Sequence, residues 1–76
     1  MTIIKATYGE HHHRSDVTGL LRSQIRDGRL ELPVNNNSMG GDPARGAHKS
    51  LWITFSIGGG NPQEARVEEG DRLTLP

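Results

Sequence analysis

The chain has 76 residues, of which 32% are apolar and none is cysteine, and its nine basic and nine acidic residues cancel. That length allows one domain, residues 1–76, with a thin core, because a chain this size buries only roughly 60% of the surface its unfolded form exposes. The missing cysteines exclude a disulfide or a thiolate metal site as reinforcement, and the balanced charge excludes the footprint of a nucleic-acid or anionic-membrane binder.

The N-terminus, Met1-Thr-Ile-Ile-Lys-Ala, lacks the apolar run of a signal peptide, and nowhere does a stretch approach the ~20 apolar residues of a membrane span. The expected address is cytoplasmic. From Thr2 to Tyr8 the side chains alternate, with Ile4, Ala6 and Tyr8 on one face and Ile3, Lys5 and Thr7 on the other, which is the period of a half-buried strand. Tyr8 is placed inside and Gly9 ends the strand. Glu10 to Arg14 is polar, after which Ser15 or Asp16 can cap a helix whose apolar positions Val17, Leu20, Leu21 and Ile25 fall at helical spacing. Asp27-Gly28 stops it. Leu30, Leu32 and Val34 alternate with Glu31 and Pro33, and the missing N–H of Pro33 points to an edge strand.

After a long polar loop, Leu51, Ile53, Phe55 and Ile57 alternate with Trp52, Thr54 and Ser56 in the best strand of the chain. Trp52 is therefore directed to the outer face, where it is either a binding anchor or covered by the helix. Gly58-Gly59-Gly60-Asn61-Pro62 reads as a turn rather than a phosphate cradle, because no helix start follows it and Gln63 to Val67 alternates instead. A hairpin results. Glu69-Gly70 turns again into Leu73 and Leu75, with Pro76 at the end. About five short strands and one helix predict a mainly β fold, a small antiparallel β-sandwich or α+β sheet with the helix on one face or open end.

The loop from Val34 to Lys49 is long for so compact a domain, and such loops are usually functional or disordered. Its Asn, Asp, Gly and Pro residues favour tight hydrogen-bonded turns, so it reads as ordered. Asp42 before Pro43 can accept backbone N–H bonds, Gly46 permits a reversal, and Lys49 can return to pair with a carboxylate at the loop base. Such a buckle needs no ligand, although it can also serve as a site. Asn35, Asn36, Asn37 and Asp42 offer one carboxylate among amides, a poor calcium set without EF-hand spacing. His11, His12 and His13 lie on an extended segment whose residues point alternately, so only His11 and His13 could share an ion, with Glu10, Asp16 or His48 needed to complete a site. An exposed polar loop is the simpler reading, with association tuned near pH 6 by histidine charge as a further expectation.

Three pieces carry a resemblance: Lys5-Ala-Thr-Tyr-Gly9, the Asp16-Val-Thr18 helix start, and Asp42-Pro-x-x-Gly46-x-x-Lys49-x-Leu51-x-Ile53-x-Phe55. Together they resemble the β-rich C-terminal domain of certain J-domain co-chaperones, almost from end to end, through Val67 to Leu75-Pro76. Two parts of the pattern, Ala-x-Tyr-Gly and Asp-Pro-x-x-Gly-x-x-Lys-x-Leu, are also similar to the galactose- and rhamnose-binding lectin domain of the sea-urchin-egg type, over about the first three quarters. The resemblance implies a compact β-sandwich with one helix, either free-standing or part of something larger. In the lectin family an acidic residue of the first strand and the Asp-Pro loop hold sugar hydroxyls, so Gly46 and Lys49 match positions that can contact sugar. Ile4 stands where the acid belongs, Ala44 replaces a family cysteine, and Ile57 lies near the place of another.

No nucleophile elbow, thiol or framed carboxylate pair is present, so an enzyme is not expected. The expectation is a non-enzymatic interaction module using its outer sheet face and the Asn35–Lys49 loop, with a protein partner that includes copies of itself, since small core and exposed edges favour association. No cofactor or metal is implied. The alternative is a carbohydrate-binding module in which Trp52 stacks on a sugar ring while Asn35, Asn37, Asp42, Gly46 and Lys49 contact its hydroxyls.

Overall fold

The computed structural model describes residues 1–75; Pro76, assigned above to the chain's closing position, lies outside the described residues. Among the described residues six strands and one helix follow in the order β1 (Thr2–Gly9), β2 (Arg14–Asp16), α1 (Thr18–Ser23), β3 (Leu30–Pro33), β4 (Ser50–Ser56), β5 (Gln63–Glu68) and β6 (Arg72–Leu75). A four-stranded sheet has the order β2-β1-β4-β5, a two-stranded sheet pairs β3 with β6, and every pairing is antiparallel. The fold is mainly β, as the alternation of the sequence predicts. No helix among the described residues is long and apolar enough to cross a membrane.

The strand count is six rather than about five because Arg14–Asp16, expected to be polar linker and helix cap, pairs with β1: Thr7 faces Asp16, Tyr8 faces Ser15 and Gly9 faces Arg14. Gly9 is at a close approach. Its φ is +155°, and a Cβ there would collide with the His13 carbonyl and the Arg14 Cα, so only glycine lets the chain double back into β2. Asp16 still serves the helix, since its Oδ1 accepts the Thr18 N–H at 2.9 Å. The helix itself is shorter than its apolar spacing suggested. It ends at Ser23, and Asp27 (φ +53°) with Gly28 (φ +74°) forms a tight reversal, closed by reciprocal bonds between Arg26 and Arg29 of 2.8 and 2.9 Å.

One core draws on Ile3, Ala6 and Tyr8 of β1, Leu51, Ile53 and Phe55 of β4, Leu30 and Leu32 of β3, Leu73 of β6, and Val17 and Leu21 around α1, with Val34 and Met39 beside them. The facing pairs are Ile3–Phe55, Ala6–Ile53 and Tyr8–Leu51. Ile4, expected to point inward with Ala6 and Tyr8, does not: it is 43% exposed. The register shifts by one residue between Ile3 and Lys5, so Ile4 is the extra residue of a β-bulge, and an extra residue exchanges the faces on either side of it. Ile57, beyond the end of β4, is 42% exposed. Pro33 sits in a strand bonded only to β6, an edge that its missing N–H tolerates.

Candidate functional site

Two places that hold residues singled out in the sequence collect polar side chains around a defined frame. The first is the outer face of the four-stranded sheet. Its central row runs Asp16, Thr7, Trp52, Arg66 across β2, β1, β4 and β5, with Lys5, Thr54 and Glu64 in the next row and Arg14, Gly9, Ser50 and Glu68 on the other side. Alternation along β4 sends Leu51, Ile53 and Phe55 into the core and leaves Trp52 half-exposed on this face. The helix does not cover it; Leu21 of α1 joins the core on the opposite side. Two guanidiniums flank the indole instead. Arg14 Cζ lies 4.0 Å from the ring centroid and Arg66 Cζ 5.5 Å, both within cation–π range.

The neighbours explain this arrangement. Arg14 stands opposite Gly9, which has no side chain to block its diagonal path toward Trp52, while Arg66 stands directly opposite Trp52. Arg66 is held by Glu68 Oε1 at 2.9 Å and donates to Ser50 Oγ at 3.3 Å. Glu68 lies below its ordinary pKa because the Ser50 hydroxyl donates to it, with further help from His48 and the Arg66 charge. Lys5 pairs with Asp16 at 3.2 Å. Between these side chains a groove of about 500 Å³ is lined by Lys5, Thr7, Arg14, Trp52, Glu64 and Arg66, among others.

The second place is the Val34–Lys49 loop, which closes as a buckle. Lys49, only 3% exposed, directs its Nζ to Asp42 Oδ1 at 3.1 Å, to the Ala47 carbonyl at 2.7 Å and to Glu69 Oε1 at 3.6 Å. The Asp42 Oδ1 also accepts the Ala44 N–H at 3.0 Å, the turn expected of Asp before Pro. Partial burial would raise the Asp42 pKa, but the Lys49 hydrogen bond, the Ala44 N–H and the charges of Lys49 and Arg45 outweigh it and hold the carboxyl low. Gly46 reverses the chain with φ +75°. Asn35 Oδ1 accepts the Ser38 N–H at 2.7 Å, and Asn36 Oδ1 accepts the buried Tyr8 hydroxyl at 2.8 Å. Asn37 is exposed.

Of the residues singled out in the sequence, the structure joins Asp42 and Lys49 and keeps Asn35, Asn37 and Gly46 on the same loop, but it separates all five from Trp52. None of them lines the Trp52 groove. Lys49 is three residues from Trp52, an odd number, and successive residues of extended chain face opposite ways. The sequence assigns no site role to Arg14, Arg66, Lys5 or Glu64. Arg66 had a signal, since a hairpin centred on Gly59 pairs position 52 with position 66. Arg14 had none, because β2 carries no apolar alternation.

His11, His12 and His13 are all exposed. Glu10 Oε1 gathers their segment, accepting the backbone N–H groups of His12 and His13 and lying 2.8 Å from His13 Nδ1. Among the described residues no three His, Asp or Glu side chains are grouped to hold a metal ion.

No family model matches the chain, and no solved structure matches it significantly. A curated protein of Formosa agariphila named "Putative beta-glucuronidase" is 32% identical over 85 residues, covering 99% of this chain. The chain spans about 7% of that protein's length. The chain is thus similar to one small region of a protein named for acting on carbohydrate.

Proposed function

We propose that the chain is a non-catalytic β-sandwich module that binds carbohydrate on the outer face of its four-stranded sheet, with Trp52 as the stacking platform. The observation that carries this reading is the position of Trp52, half-exposed in an open groove amid polar side chains. Arg14 and Arg66 lie over part of the indole, and the apolar surface they leave exposed can pack against the C–H side of a sugar ring while the polar groups around it meet the hydroxyls. The similarity to a region of a protein named for β-glucuronidase activity supports a carbohydrate ligand. The Asp42–Lys49 buckle then acts as a structural clasp, since its ammonium is occupied by three oxygens and lies away from the groove.

Trp52 is the chain's single tryptophan, so its fluorescence reports on the groove directly. Titration with a panel of oligosaccharides should shift or quench that emission for at least one of them, and Trp52→Ala should abolish the binding measured by calorimetry. A panel that leaves the emission unmoved defeats the reading.

A second reading, association with a protein partner or with copies of itself, is favoured by the outer edge of β5, which is bonded to β4 on one side only, and by the exposed Ile4 and Ile57. An unpaired edge can add a strand from another chain. Sedimentation across a concentration series should then show reversible growth in mass that Val67→Pro removes. A monomer at every concentration defeats self-association.

A further inference from the structure

We propose that the saccharide bound at the Trp52 groove is anionic, its carboxylate or sulfate groups held by Arg14 and Arg66 on the two flanks of the indole; the inference rests on the carbohydrate reading. The chain as a whole has zero formal net charge, yet the groove lining includes three cations, Lys5, Arg14 and Arg66, against one carboxylate, Glu64. Asp16 and Glu68 lie beside this lining and balance the face as a whole, so what distinguishes the groove is the set of cations placed against the aromatic platform.

The three cations are not equally free. Lys5 is paired with Asp16 and Arg66 with Glu68. Arg14 has no carboxylate within ion-pair distance among the described residues; its one hydrogen bond there runs from Nε to the Glu10 carbonyl at 3.3 Å. That leaves both terminal nitrogens of its guanidinium with N–H groups to donate. Stacking on the indole at 4.0 Å holds that guanidinium in place, and a pre-positioned planar fork is the geometry that engages a carboxylate or sulfate through two parallel bonds.

Donor and acceptor chemistry points the same way. The hydroxyls of a neutral sugar need acceptors as well as donors, whereas lysine and arginine side chains only donate. Beyond the two threonine hydroxyls, Thr7 and Thr54, the groove has one side-chain acceptor, Glu64. A ligand that brings its own acceptor oxygens, with negative charge, satisfies this lining better than one that brings hydroxyls alone.

The test uses three tetrasaccharide probes, β-1,4-linked glucuronic acid, a sulfated glucan and neutral cellotetraose, followed by Trp52 fluorescence and by calorimetry. A charged probe should bind at least about tenfold more tightly than cellotetraose, roughly the increment of one charge-assisted hydrogen bond. That preference should shrink as salt rises toward about 1 M, where screening acts within roughly 3 Å. The double variant Arg14→Gln/Arg66→Gln, with folding verified by circular dichroism, should lose the preference. Preference for glucuronate over sulfate assigns the fork to a planar carboxylate, and equal binding assigns it to charge alone; either supports the proposal. Equal affinity for cellotetraose and both charged probes, or a preference that survives in the double variant, overturns the anionic assignment while leaving the carbohydrate reading intact. No response to any probe, in emission or heat, overturns both.

Discussion

Lys49 Nζ and Asp42 Oδ1 meet at 3.1 Å across the neck of the long loop, with the lysine side chain only 3% exposed and the carboxylate partly exposed at 29%. A buried ammonium is tolerated only while oxygens surround it. The Ala47 carbonyl and Glu69 complete that shell and join the loop to the turn after β5.

Asp42→Ala should therefore lower the urea midpoint, because it leaves a buried ammonium short of a partner. Adding Lys49→Met should recover part of the loss, since the charge that needed solvating is gone and the methionine stem still fills the space. Denaturation curves for the single and double variants check this. If Asp42→Ala is harmless, or the double variant is no better than the single, the pair does not close the loop.

Gly9→Ala should destabilise by at least about 1 kcal/mol, the scale for adding a side chain where the backbone is incompatible with it. Its Cβ would strike the His13 carbonyl at a φ of +155°. The damage should centre on β2, so amide exchange at Ser15 and Asp16 should accelerate more than at Leu51 or Ile53. Protection at β2 equal to that of the parent chain contradicts the role assigned to this glycine.

Tyr8, the single tyrosine, has its phenol pushed up to about 12, mainly by burial and then by the nearby Glu69 and Asp42 carboxylates. A raised folded pKa on an acid that is neutral below it means that its contribution is complete below pH 10, the unfolded value, and is lost as pH rises through about 12. Phenolate absorbance should show a native midpoint near 12 that falls to about 10 in urea. Tyr8→Phe should remove that alkaline dependence at a cost of about 1 kcal/mol for the lost hydrogen bond to Asn36. A native midpoint near 10 would place the phenol in water.

Asp16 is held down to about 2, first by hydrogen bonds from Thr18 and then by Lys5. Its depressed folded pKa makes its contribution complete above the unfolded value of 3.8, and that contribution fades as pH falls through about 2. Asp16→Asn should flatten this acid limb of the stability profile while leaving its neutral plateau only slightly lower, because the side chain is exposed and its charge pairing is screened. Urea midpoints at several pH values below 5 check the sign. An acid limb that is identical in the variant would assign the loss to other carboxylates.

Much of the fold was legible along the chain. The alternation from Leu51 to Phe55 placed the core strand and sent Trp52 outward, the glycine run with Pro62 located the hairpin, Pro33 marked an edge, and Asp42, Gly46 and Lys49 outlined a buckle in which the lysine meets a carboxylate, although not that Glu69 and the Ala47 carbonyl complete it. These readings held because each depends on local rules: side-chain parity, turn stereochemistry, and the need of a buried charge for oxygens. Ile4 was misplaced by its parity, since a single inserted residue inverts the phase and nothing in the local pattern announces it.

The sequence by itself thus determined the mainly β class, the outward tryptophan and the clasp of the long loop, because periodicity and turn chemistry act over a few residues. Tertiary structure alone decided that Arg14–Asp16 becomes a strand, that Ile4 is exposed, and that Arg14 lies over Trp52, 38 positions away along the chain. A three-residue strand has no pattern of its own and exists only through its pairing with β1. The groove that follows from it is a product of strand order and register, which long-range backbone hydrogen bonding sets and no local segment encodes.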